Sequence, residues 1–217
     1  MDPEPVDARI ERLLALAWES GAQPVVVLTK SDTAADPAAI ARQVAELAPD
    51  VPVLPVSAAR GDGLEPLREL VRPGRTLALL GRSGAGKSTL VNELAGASVM
   101  PVQAIRRADG KGRHTTAYRN LVLVPDGGAI LDTPGIRGVG LLDTADGLDK
   151  TFADVADLAA MCRFGDCRHL AEPGCAIQAA LADGSLSPRR LASWQKLHRE
   201  VDTESARRAT RLARRRT

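Results

Sequence analysis

Val6, Ile10, Leu13, Leu14 and Ala17 recur at three- and four-residue intervals, the spacing of one helix face, and Gly21 follows where a helix would stop. The chain is expected to open on a helix over residues 6–19. Three short, continuous apolar runs follow: PVVVLT at 24–29, VPVLPVS at 51–57 and RTLALLG at 75–81. Helical patterns around 37–48 and 64–72 separate them. Continuous apolar runs alternating with helices predict a mostly parallel sheet with helices on both faces, an α/β fold. Two further strand patterns, YRNLVLVP and AILDT, are joined by Asp126-Gly127-Gly128, a hairpin signal. From about residue 150 strand patterning ends. A cysteine-containing loop and helices near 174–183 and 187–205 are expected there, giving domains at 1–149 and 150–217.

Composition narrows the class. With 217 residues and 44% hydrophobic content the chain can bury one sizeable core and a small accessory domain. No apolar run approaches the roughly 20 residues that cross a bilayer, and MDPEPVDARIERLL lacks the order of a secretory signal, so no membrane partner and a cytoplasmic location are expected. Three cysteines argue against a disulfide framework and toward metal ligation or buried thiols. Net charge is only +2, yet residues 187–217 hold ten Arg or Lys against three Asp or Glu. That surplus ends in ARRATRLARRR, which suits either contact with nucleic-acid phosphates or a solvated tail.

Gly81-Arg82-Ser83-Gly84-Ala85-Gly86-Lys87-Ser88, followed by Thr89, fits G-x-x-x-x-G-K-[ST] between a strand and a helix. Such a loop aims backbone N–H groups and a helix N-terminus at phosphate, Lys87 neutralises the outer phosphates, and the Ser88 hydroxyl is a Mg²⁺ ligand. The loop alone does not separate ATP from GTP. Downstream, Cys162, Cys167, His169 and Cys175 form C-x4-C-x-H-x5-C using every cysteine in the chain. Three thiolates and one imidazole fill a tetrahedral Zn²⁺ shell with no open position, a structural site holding a single ion.

Two elements at strand ends resemble those of P-loop GTPases. Thr29-Lys30-Ser31-Asp32 resembles the N/T-K-x-D base-recognition element, and Ser57-Ala58 the element whose amide contacts the guanine oxygen. The chemistry agrees: the Asp32 carboxylate offers two acceptors to the guanine N1 and exocyclic amine hydrogens, a donor pair adenine lacks. Asp132-Thr133-Pro134-Gly135 resembles the family's Asp-x-x-Gly, which implies that Asp132 reaches Mg²⁺ through water and that the Gly135 N–H senses the terminal phosphate.

These motifs run in a permuted order, because Lys30 and Ser57 precede Gly81. Circular permutation, the zinc spacing and GKGRHTTAYRN at 110–120 together resemble the ribosome small subunit-dependent GTPase A family over essentially the whole chain. The resemblance implies a circularly permuted P-loop GTPase with a small α-helical zinc domain, binding GTP/GDP with Mg²⁺, acting on the 30S subunit and its 16S rRNA, and expected as a monomer. Thr115 or Thr116 would ligate Mg²⁺ from a switch segment. Ile136 stands where many GTPases place a water-orienting Gln, so His114 is the candidate catalytic group; a solvent-exposed or RNA-contacting His114 is the alternative. Intrinsic turnover is expected on the order of ~10⁻⁴ to 10⁻² s⁻¹ and faster with a partner. Family members also carry an N-terminal RNA-binding OB barrel and a strand before the first helix. Five strands are counted here where six are expected, so the chain reads as a fragment or start-site truncation, or another segment fills the gap. A truncated, non-hydrolysing guanine-nucleotide and RNA-binding module is the second reading. An ATP-dependent kinase shares the phosphate loop but leaves Asp32, Asp132 and the permutation unexplained.

Overall fold

The computed structural model describes residues 7–101, 120–125, 127–133 and 145–214. They form eight helices and five strands: α1 (Asp7–Glu19), β1 (Val26–Leu28), α2 (Pro37–Leu47), β2 (Val53–Pro55), α3 (Glu65–Leu70), β3 (Thr76–Leu79), α4 (Lys87–Ala95), β4 (Asn120–Leu123), β5 (Ala129–Asp132), α5 (Ala145–Thr151), α6 (Ala153–Ala160), α7 (Ala176–Asp183) and α8 (Pro188–Arg214). All five expected strands and the opening helix are present. Two compact units result, one with the five strands, α2 up to Glu46, α3 and α4, the other with α1 and α5–α8.

In the first unit β3 pairs parallel with β5, Leu79 opposite Asp132, and β5 pairs antiparallel with β4, Asn120 opposite Asp132. β1 and β2 pair parallel as a separate two-stranded sheet. Pairing is mostly parallel, as expected, and the strands fall in two sheets: among the described residues β1 and β3 each pair on one side only. This is where the strand count falls one short. Val56, Leu67, Val91 and Ile130, each fully buried, form the centre of this core.

The second unit buries Leu148, Phe152, Val155 and Ile177 completely. α5 and α6 are additions to the expected elements, and α8 runs on to Arg214, past the expected end near 205. Gly147 lets α5 lie against α1, since a Cβ there would fall 2.1 Å from the Ala15 carbonyl oxygen. α1 belongs to this unit, whereas a boundary at 149/150 leaves it with the sheet. The physical reason is Glu11. It has no solvent exposure and accepts from Arg190 at 2.9 Å, from Arg189 at 2.8 Å and from the Ser193 hydroxyl, all on α8. Arg190 also donates to both carboxylate oxygens of Asp154 and to the Thr151 carbonyl at 2.7 Å, with its guanidinium 4.2 Å over the Phe152 ring. Glu11→Ala removes three hydrogen bonds made by a buried carboxylate and leaves Arg190 with Asp154 as its remaining acid, so it is expected to lower stability by about 3 kcal/mol in urea unfolding. A loss below about 1 kcal/mol would show that the pair is not holding α1.

Candidate nucleotide and metal sites

Three loops at strand ends build the first site. Gly81–Gly86 link β3 to α4, and Gly86 caps the helix with φ 85°, the left-handed region open to glycine. The loop leads its successive amides to the N-terminus of α4, where the helix dipole favours anions. Lys87 Nζ donates to the Gly81 and Arg82 carbonyls, each at 3.0 Å, so its ammonium already hangs over the loop. Ser88 and Thr89 follow on the first turn, half-buried.

At the end of β1, Thr29 Oγ1 donates to the Ala85 carbonyl at 2.7 Å, and the Thr29 side chain lies 3.7 Å from where a Cβ on Gly86 would be. That bond joins the Thr29–Asp32 element to the phosphate loop across 56 positions of sequence. Lys30 takes a left-handed conformation, φ 57°, and turns the chain into a short 3-10 helix over Ser31–Thr33. Asp32 is thereby set against Ser57, which is fully buried and donates its hydroxyl to Asp32 Oδ1 at 2.6 Å. The Ser57 hydrogen bond, aided by the Asp32 backbone and by nearby Arg60, holds the carboxyl below its usual range despite partial desolvation. Asp32 is thus an anionic acceptor with one oxygen engaged by Ser57. Ala58 follows half-buried, and a bridge between Ser57 and Asp62 closes its loop.

Asp132 ends β5, only 5% exposed, and its Oδ1 has no hydrogen-bond partner among the described residues. Burial pushes its pKa up and the Lys87 ammonium opposes the rise; burial lowers the Lys87 pKa, and Asp132 opposes that in turn. An orphaned, buried carboxylate oxygen beside the phosphate loop fits a hydrated Mg²⁺, for which the Ser88 hydroxyl on the neighbouring turn could supply a direct ligand. Thr133 ties the strand end down, donating to the Leu79 carbonyl at 2.7 Å. His114, Thr115, Thr116 and Gly135 lie outside the described residues.

The second site is in the helical unit. The ligand atoms of Cys162, Cys167, His169 and Cys175 all lie within 4.8 Å of one another. His169 Nδ1 is 3.5 Å from Cys162 Sγ and 3.6 Å from Cys175 Sγ, and those sulfurs are 3.8 Å apart. A tetrahedron with Zn–S of about 2.3 Å and Zn–N of about 2.0–2.1 Å has edges of about 3.5–3.8 Å, so the donor set fits the ion. Cys175 caps α7, and although burial pushes the Cys162 thiol up, the amides of Ala176 and Ile177 and the neighbouring thiols leave its pKa lowered. Glu172 was missed by sequence reading. Its carboxylate accepts from the amides of Arg168, Leu170 and Ala171, which pulls its pKa down to about 2 and shapes the ligand loop. An acid three residues after His169 and three before Cys175 was the available signal.

The sequence profile described as RsgA GTPase matches residues 1–142. The chain belongs to the RsgA GTPase family. One relative, the small ribosomal subunit biogenesis GTPase RsgA of Streptomyces coelicolor, is 60% identical over 196 residues, 89% of this chain and 53% of its own length. The protein of the same name from Methanosarcina acetivorans is 45% identical, with 91% of this chain and 53% of its own covered. This chain therefore spans about half the length of the curated relatives it matches. Among solved structures, YjeQ from Thermotoga maritima is 28% identical with a TM-score of 0.66, covering 92% of this chain and 67% of that one. YloQ, described as a circularly permuted GTPase, shares the fold at a TM-score of 0.64 and 24% identity, with 94% of this chain and 66% of that one covered. The permuted order of base element and phosphate loop is thus the order of the family's fold.

Proposed function

We propose that this chain binds GTP with Mg²⁺ and hydrolyses it to GDP and phosphate as an assembly factor of the small (30S) ribosomal subunit, which activates it through contact with 16S rRNA. Phosphates lie along Gly81–Thr89 with Lys87 on the outer pair; Asp32, oriented by Ser57, takes the guanine edge with Lys30 and Ala58 around it. Mg²⁺ falls to Ser88, Asp132 and Thr115 or Thr116, the Gly135 amide meets the terminal phosphate, and His114 positions the attacking water. The zinc of Cys162, Cys167, His169 and Cys175 is structural. The protein works as a monomer in the cytoplasm, and no described helix is long and apolar enough to cross a membrane. The bond from Thr29 to the Ala85 carbonyl carries this reading, because it brings the base element to the phosphate loop within one unit.

GTP turnover with and without 30S subunits is the test. Slow release of phosphate alone and at least about tenfold faster release with subunits is expected. The split between the β1–β2 pair and the β3–β5–β4 sheet favours a second reading, a guanine-nucleotide and RNA-binding module that does not hydrolyse. Saturable GDP binding without turnover under either condition would select it.

A further inference from the structure

Val201 is the last buried residue described in α8. Thirteen helical residues continue past it to Arg214, about 20 Å at 1.5 Å per residue, and each one whose exposure is described is exposed or half-buried. Among those residues no apolar face is buried. The segment holds its helix by propensity and the Glu204–Arg207 pair at 2.6 Å, while Thr203 and Thr210 turn their hydroxyls back to carbonyls four residues earlier, at 2.7 and 3.0 Å. At about 100° per residue, positions 207, 208, 211 and 214, all arginine, fall within an arc of about 120°. Glu204 falls inside the same arc, and Ala206 and Thr210 lie along its flank. Arginines three and four apart repel one another on a helix, and an anionic partner would turn that repulsion into attraction. The exposed Glu204–Arg207 pair is of the kind that contributes little and exchanges readily for another anion.

We propose that residues 202–214 of α8 form a basic arm that lies along the phosphate backbone of double-stranded RNA, with Arg207, Arg208 and Arg211 contacting phosphates. The arm rests on the reading of the protein as a factor of an RNA-rich particle and assigns the surface that makes the contact. Recognition is electrostatic and independent of sequence, because a single stripe of guanidinium groups without interleaved aromatic side chains offers phosphate contacts and no base readout.

The test measures binding of the full chain to a mixed-sequence RNA duplex of about 20 base pairs across a salt series. Phosphate contacts release counterions, and three of them contribute between about two and three to the slope of log K against log salt. Replacing Arg207, Arg208 and Arg211 together by Gln, a comparable helix former, is expected to flatten the slope by that amount and to weaken binding at low salt at least about tenfold. The triple Lys variant is expected to keep the slope, since charge alone is required. An unchanged slope in the Gln variant, with helicity and GDP affinity retained, overturns the proposal; so does a Lys variant that loses binding like the Gln variant. Subunit-stimulated GTP turnover is scored separately. Stimulation with no effect of the Gln variant on the duplex slope defeats the arm alone, and duplex binding without stimulation defeats the functional reading alone.

Discussion

Removing zinc is expected to take the loop from Cys162 to Cys175 and the start of α7 out of the native structure. The ligand atoms of Cys162, Cys167, His169 and Cys175 converge within 4.8 Å, a donor set that would hold a cation. The same cysteines pack on the helical core: Cys175 is 5% exposed and clusters with Ile177, Leu186 and Leu197. In small zinc folds metal binding supplies about 10–16 kcal/mol, and a share of that on the order of several kcal/mol would be lost from this unit on chelation. Leu148, Phe152 and Val155 belong to the same buried cluster but lie outside the ligand loop, so α1, α5, α6 and α8 are expected to stay helical while the loop opens. Trp194 reports the change, its ring centroid 5.8 Å from that of His169. In a Trp18→Phe background, chelation should shift Trp194 emission and lower the unfolding midpoint, and Cys175→Ser should do both without chelator. A midpoint indifferent to chelator would contradict the site.

Lys87→Ala has the largest expected effect on nucleotide binding. Its ammonium, parked on the Gly81 and Arg82 carbonyls, places a positive charge at the amide cradle and, among the described residues, is the group that opposes the upward pKa shift of Asp132. Charge-assisted hydrogen bonds contribute about 1.5–3 kcal/mol each, and contacts to both outer phosphates are at stake. The variant is expected to bind GTP at least about 100-fold more weakly, and its turnover to fall on the order of 10²–10³-fold, the scale of removing a preorganised donor in the transition state. Without the lysine the desolvation of Asp132 goes uncountered, so Mg²⁺ dependence should move to higher magnesium concentration. Fluorescent nucleotide titration checks the first effect; an affinity within about threefold of the parent would remove Lys87 from its role.

The features legible in the sequence are those whose chemistry depends on short spacing or on a strand end. The loop at 81–88 and the cluster at 162–175 need no distant partner to be recognised, and β1, β2, β3 and β5 are continuous apolar runs. The strand count, one below the family pattern, pointed to a gap, whereas the division into two sheets is seen only in the pairing. What depended on distant partners was hidden. Glu11 sits on an amphipathic helix where an acid reads as solvated, and its burial is set by Arg190, 179 positions away. With it went the allegiance of α1 to the helical unit. α5 and α6 were obscured by the acids of ADGLDKTFADVADLAA, although Leu148, Phe152 and Val155 lie at helical spacing and are all fully buried. Thr29 shows the intermediate case. Its place in the base element was readable, but its bond to Ala85, which links the two halves of the site, required the fold.

The central claim is that Asp32 and the loop around Lys87 hold opposite ends of one guanosine triphosphate. Asp32→Asn tests it most directly, because the amide replaces one acceptor by a donor and matches the xanthine edge, which presents a carbonyl where guanine has its amine. Affinities of this variant for GTP and xanthosine triphosphate are to be measured side by side. A GTP affinity reduced at least about 100-fold, together with xanthosine triphosphate bound more tightly than GTP, is the predicted result; an Asp32→Asn variant that still prefers GTP as the parent does would contradict the claim.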